Sequence, residues 1–113
     1  MQPVRIRRSR TRGSRLVAPN DLPIVCVTRP GPWGNPFSGA LASAKPSQKH
    51  AVRAEAVRRF RHALLNGGAS LSFTVEQVRR ELRGKNLACW CPLDEPCHAD
   101  VLLEVANANR RLR

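Results

Sequence analysis

The sequence predicts a small, single-domain α/β fold, with a short and mostly parallel sheet flanked by helices and Rossmann-like in character. Three observations predict it. Two apolar runs, 22–28 and 87–91, read as strands. Two segments with helical spacing of apolar residues lie between those runs. Strands separated by helices pair in parallel through a right-handed crossover. At 113 residues, 42% of them hydrophobic, the chain is globular and has room for one domain with a small core.

Taken in order, residues 1–20 form a basic N-terminal segment, 21–109 the α/β domain and 110–113 a basic tail. The first fifteen residues carry six arginines and no acid, which reads as a mobile basic arm or a segment ordered by an anion. The run Leu22-Pro23-Ile24-Val25-Cys26-Val27-Thr28 is the pattern of a strand covered on both faces, with Cys26 as a small buried hydrophobe. Three prolines and three glycines make 29–39 a structured loop, in which Trp33 and Phe37 either plug the core or line a pocket.

A helix is predicted over 48–66, because Val52, Ala56, Phe60 and Leu64 recur every four residues and Asn66-Gly67-Gly68 stops it. His50 and His62 fall on its polar face and are expected to be solvated. Thr74 and Gln77 form a capping box for a second helix, which carries Val75, Val78 and Leu82 inward and ends at Gly84. Pro92 closes the second strand, Asp94 or Glu95 is the expected cap of the last helix, and Pro96 suits its first turn. That helix runs through Ala99, Val101, Leu102, Val105 and Ala106 to about Asn109.

Charge bounds the partners. Twenty Lys+Arg face eight Asp+Glu, a net +12 that attracts polyanions such as nucleic acid, nucleotides or an anionic membrane, unless the arginines merely solubilise the surface. No stretch is long enough to span a bilayer and the first residues lack an apolar run. The expectation is therefore a cytoplasmic protein without a membrane partner, whose four cysteines are reduced thiols or metal ligands rather than disulfides.

The chemistry is concentrated in Cys89-Trp90-Cys91-Pro92-Leu93-Asp94-Glu95-Pro96-Cys97-His98-Ala99-Asp100. Strand alternation puts Cys89 and Cys91 on one face, and Cys97 and His98 fall at a helix start, where free N–H groups and the macrodipole favour negative charge. If both strands are parallel, the Trp33–Asn35 loop and this cluster leave the same sheet edge and face one cleft.

Three readings follow. In the first, Cys89, Cys91, Cys97 and His98 ligate zinc, although adjacent residues on a helix diverge by about 100° and the fourth ligand is then in question. In the second, Cys97 is a nucleophile with His98 as base and Asp100 orienting an imidazole or a ribose hydroxyl. Lys85, Arg29 or the neighbouring His98 then holds the thiolate, and the Asn35 amide with the free N–H groups at the helix start binds a phosphate or oxyanion. In the third, the arginines bind nucleic acid without catalysis, Trp33 stacks on a base, and the cysteine cluster is a structural metal site.

The Arg-rich N-terminus with Thr11-Arg12-Gly13, the segment Arg29-Pro30…Trp33-Gly34-Asn35-Pro36-Phe37, and Leu82-Arg83-Gly84-Lys85 leading into Ala88-Cys89-Trp90-Cys91…Pro96-Cys97-His98-Ala99-Asp100-Val101 together resemble the domain-of-unknown-function family 4326. The resemblance covers nearly the whole chain, apart from 40–49 and 67–72. It implies a small protein of bacterial or phage type whose basic N-terminus belongs to the domain. It implies no reaction. The sequence thus points to a nucleotide or nucleic acid handled at a Cys/His-lined cleft.

Overall fold

The computed structural model describes residues 2–8, 18–29, 31–67 and 71–108. Its sheet has three strands: β1 (Arg5–Arg7), β2 (Ile24–Cys26) and β3 (Asn86–Cys89), in the order β1-β3-β2. Both pairings are parallel, with Ile6 opposite Ala88 and Val25 opposite Leu87. The expected pairing of the runs at 23–28 and 86–91 is therefore found. Every side chain of β3 is buried, as a central strand requires.

β1 is the element the sequence reading lacks. Residues 5–7 are an edge strand of the sheet, with Ile6 buried and the Arg8 N–H donating to the Cys89 carbonyl at 2.7 Å. Arg10, Arg12 and Arg15 lie outside the described residues. β2 is the other edge strand, so the expectation of a strand covered on both faces does not hold. Its Cys26 is exposed, where a buried thiol was expected. An apolar run cannot distinguish an edge strand from a central one.

The helices are α1 (Lys49–Leu65), α2 (Val75–Leu82) and α3 (His98–Asn107). Two 3-10 turns, Ser38–Ser43 and Pro46–Gln48, precede α1. Ala56, Phe60 and Leu64 of the predicted stripe are buried on α1, and Val52 is half-buried. His50 and His62 are exposed, although His50 is paired with Glu95. The Thr74–Gln77 capping box forms as expected, and Gly84 follows α2 with φ of 75°, a left-handed conformation that glycine adopts without a steric cost.

α3 packs against β3, β1, α1 and α2, and so organises the core. Phe60, Leu82, Leu87, Val101 and Leu102 are fully buried there. Trp33 belongs to this core: its ring lies 4.8 Å from that of Phe73, which resolves its two expected roles toward plugging.

Candidate metal centre

Because all three strands are parallel, their C-terminal ends meet at one edge. The chain leaves β2 through Val27, Thr28 and Arg29, and leaves β3 through Trp90 and Cys91. Residues from both exits line a cleft of about 240 Å³: Thr28, Arg29, Asn35 and Ser38 on one side, Cys89, Trp90, Cys91, Pro96, Cys97 and His98 on the other. Arg8 ties the edge together, donating from Nη1 to Thr28 Oγ1 at 2.8 Å and lying 4.3 Å over the Trp90 ring. Asn35 of the Trp33–Asn35 loop and the cysteine cluster share this cleft, as the topology implied, whereas Trp33 does not line it.

Cys89, Cys91 and Cys97 converge. Their sulfurs all lie within 4.8 Å of one another, and the Cys97 thiol donates to Cys89 Sγ at 3.1 Å. Tetrahedral sulfur ligands on one zinc sit roughly 4 Å apart, given Zn–S near 2.3 Å. The group therefore has the spacing of a metal site. Cys89 and Cys97 are buried and Cys91 half-buried, on the cleft wall.

The end of the last helix is built by this cluster. Cys97 is the N-cap of α3 but makes no side-chain capping bond, so neither Asp94 nor Glu95 takes that place and Pro96 stands before the helix. The thiol that would cap turns instead to Cys89. His98 is the first helical residue and is buried. Its Nε2 meets the Val27 carbonyl at 2.7 Å, an acceptor, so Nε2 carries a proton and, in the neutral ring, Nδ1 is the acceptor. Nδ1 lies 3.7 Å from Cys97 Sγ, yet His98 does not join the three-sulfur group. Adjacent positions at the helix start diverge, so the fourth ligand expected from His98 is not brought in.

Arg5 positions the loop that carries the thiols. Its side chain is 7% exposed, and Nη2 donates to the carbonyls of Leu93 at 2.7 Å, Glu95 at 3.0 Å and Pro92 at 3.3 Å. Nε faces Asp100 Oδ1 at 3.4 Å. Arg53, on α1, reaches Glu95 Oε1 at 3.3 Å and lines the cleft. The ionisation of the thiols is split by this arrangement. Hydrogen bonds from Cys89 and Cys97, then the charges of Arg53 and Arg5, hold Cys91 below the ordinary thiol range. The same contact with Cys91, followed by that with Cys97 and by burial, pushes Cys89 upward. Cys91 is thus the favoured thiolate.

The remaining predicted site residues are dispersed. Asn35 is buried on the cleft wall, but its amide is engaged internally: Nδ2 donates to the Ala56 carbonyl and Oδ1 accepts from the Phe37 N–H. Gly34 lies so close to Arg29 that an added Cβ would stand 2.4 Å from Arg29 Cγ, which fixes the path of this loop beside the cleft. Asp100 is exposed on the outer side of Arg5 and does not line the cleft. Lys85 lies at the opposite end of β3, where its Nζ donates to the Glu81 carbonyl. Arg5 and Arg53 are the site residues that sequence reasoning missed. No local signal marked Arg5, because the carbonyls of Pro92, Leu93 and Glu95 that engage it lie far along the chain.

A family model described as domain of unknown function (DUF4326) matches residues 6–108. No curated protein and no solved structure matches the chain. Among the described residues, no helix is long and apolar enough to cross a membrane.

Proposed function

Since the chain belongs to the family described as domain of unknown function (DUF4326), whose description assigns no activity, we propose its function from the site alone. Cys89, Cys91 and Cys97 hold one zinc ion at the cleft wall, and the cleft handles a nucleotide or nucleic-acid group beside it. The observation that carries this reading is the convergence of three sulfurs on the wall of a cavity rather than inside the core. Three thiolates favour zinc, copper(I) or iron–sulfur chemistry, and zinc takes such a set in a tetrahedron without redox demands.

Three protein ligands leave a fourth position, which is the arrangement of catalytic rather than structural zinc. A zinc ion held by Cys89, Cys91 and Cys97 would supply Lewis acidity beside the cleft. The residues of the chain do the rest. Arg5 holds the cysteine loop through three carbonyls, and its charge with that of Arg53 compensates the excess of thiolate. The +12 net charge supplies attraction for an anionic partner.

A second reading, thiol chemistry without metal, is favoured by one observation. The His98 Nδ1 lone pair faces the Cys97 thiol and can take its proton, while Cys91 beside it is already biased to thiolate.

Metal analysis of protein purified without chelator or nickel separates the two. The zinc reading expects one zinc per chain, cobalt substitution with sulfur-to-metal charge-transfer absorption, and loss of both signals in Cys91→Ser and Cys97→Ser. Protein that carries no metal, takes up no cobalt and is alkylated rapidly at Cys91 near neutral pH contradicts zinc and supports the thiol reading.

A further inference from the structure

The cleft carries a charge pattern that a metal does not explain. Two buried side-chain N–H groups among the described residues have no hydrogen-bond partner, Arg5 Nη1 and Arg53 Nε. Arg5 belongs to the thiol cluster, with Cys97 beside its guanidinium. Arg53 instead lines the cleft together with the exposed Arg29, and no carboxylate lines it. The rest of the wall is largely apolar, with Leu41, Ala56, Val57 and Pro96. A complementary occupant has a flat or apolar body and one anionic end.

Size and field narrow it further. A cavity of about 240 Å³ falls below the roughly 300–1,000 Å³ of sites that engulf a drug-sized molecule. It encloses part of a single nucleotide and leaves the rest at the open mouth, and a length of duplex does not enter. An anionic end is drawn to the guanidiniums of Arg29 and Arg53, which leaves the other end of the ligand to the wall that carries the sulfurs.

We propose that the cleft is a pocket for a free nucleoside monophosphate, with its phosphate on Arg29 and the guanidinium of Arg53 and its nucleoside end turned to the three sulfurs. This deepens, and rests on, the nucleotide reading given above. The 5′-phosphorylated end of a strand offers the same chemistry, and the test separates the two sources.

Isothermal titration of the full chain is run with nucleoside 5′-monophosphates, the matching nucleosides, and a short oligonucleotide with and without a 5′-phosphate. The monophosphates are expected to bind at least about tenfold more tightly than the nucleosides, the worth of one charged hydrogen bond. Arg53→Gln and Arg29→Gln are each expected to weaken the monophosphate by about tenfold while leaving nucleoside affinity unchanged, and the Arg29 variant, which touches no thiol, is expected to keep its zinc content. Arg29 is exposed, so its variant keeps the test decisive if the Arg53 variant fails to fold. Equal affinity for nucleosides and monophosphates overturns the phosphate subsite and leaves the nucleotide reading standing. Tighter binding of the phosphorylated oligonucleotide than of any monomer overturns the free-nucleotide assignment. No binding by any probe overturns the nucleotide reading itself, with zinc content deciding separately on the metal.

Discussion

At the N-terminal end of β3, the buried Asn86 uses the whole of its side-chain amide. Oδ1 accepts from Val4 N at 2.9 Å and from Asn20 Nδ2 at 3.3 Å, while Nδ2 donates to Asn20 Oδ1 at 2.8 Å and the Leu22 carbonyl at 3.2 Å. Nearby, Asn107 Oδ1 accepts from Gly84 N at 3.0 Å. At the C-terminal end of the same strand, two guanidinium N–H groups are buried without partners and three thiols have mainly one another. Both ends are polar and both are buried. The first is closed on itself and ties three strands into register. The second keeps unspent donors and ligands beside a cavity. Satisfied polar networks hold a fold, whereas unsatisfied ones mark the place where something else is meant to bind.

Substitutions at each end break or sharpen that contrast. The largest effect is expected from Asn86→Ala, which strands the Val4 N–H and the Leu22 carbonyl and removes one of the partners of Asn20. A loss of about 3 kcal/mol is expected, with a fall in Tm on the order of 15 °C. Zinc per chain and nucleotide affinity of the folded fraction stay unchanged. Thermal unfolding followed by circular dichroism, beside metal analysis, checks both halves.

Arg5→Met comes next. It releases the carbonyls of Pro92, Leu93 and Glu95 in a partly solvated loop, for a cost of about 2 kcal/mol. Here the loss spreads to the metal: zinc affinity falls by about tenfold to a hundredfold, as for other residues that orient ligands. Competition with a zinc chelator measures it. An Arg5 variant with unaltered zinc affinity would make Arg5 a part of the scaffold only, and would weaken the distinction between the two ends.

Arg53→Met has the smallest effect on the ligand-free protein. It gives up one ion pair with Glu95 but also removes an unpartnered buried N–H. The two nearly cancel, within about 1 kcal/mol. Near-neutrality here, set against the loss at Asn86, is the signature of a closed end and an open end on one strand. Urea denaturation of both variants reads the difference directly.

Much of this contrast was legible in the sequence, but not all of it. Strand alternation over 87–91 and a helix start at Cys97 sufficed to predict the sulfur convergence, because both are local periodicities. The parallel pairing of β2 with β3 followed from the helices between them, and with it the shared cleft. β1 was not legible: three residues of Arg-Ile-Arg carry no periodic signal, and their strand conformation is stabilised by ladder bonds to β3. Arg5 is buried by a loop some 90 positions away, which no local pattern encodes. The same long-range dependence hid the exposure of Cys26 on an edge strand and the diversion of Cys97 from capping to the sulfur cluster. Trp33 was ambiguous because an aromatic in a proline-rich loop serves a core or a pocket equally well until its neighbour Phe73 is known.

X-ray absorption at the zinc edge of the protein as purified tests the central claim most directly. The account predicts three sulfurs at about 2.3 Å and one oxygen or nitrogen at about 2.0 Å around a single zinc, with the lighter ligand replaced or displaced on adding a nucleotide that fills the cleft. A four-sulfur shell, a shell with two or more nitrogens, or the absence of bound zinc would contradict it.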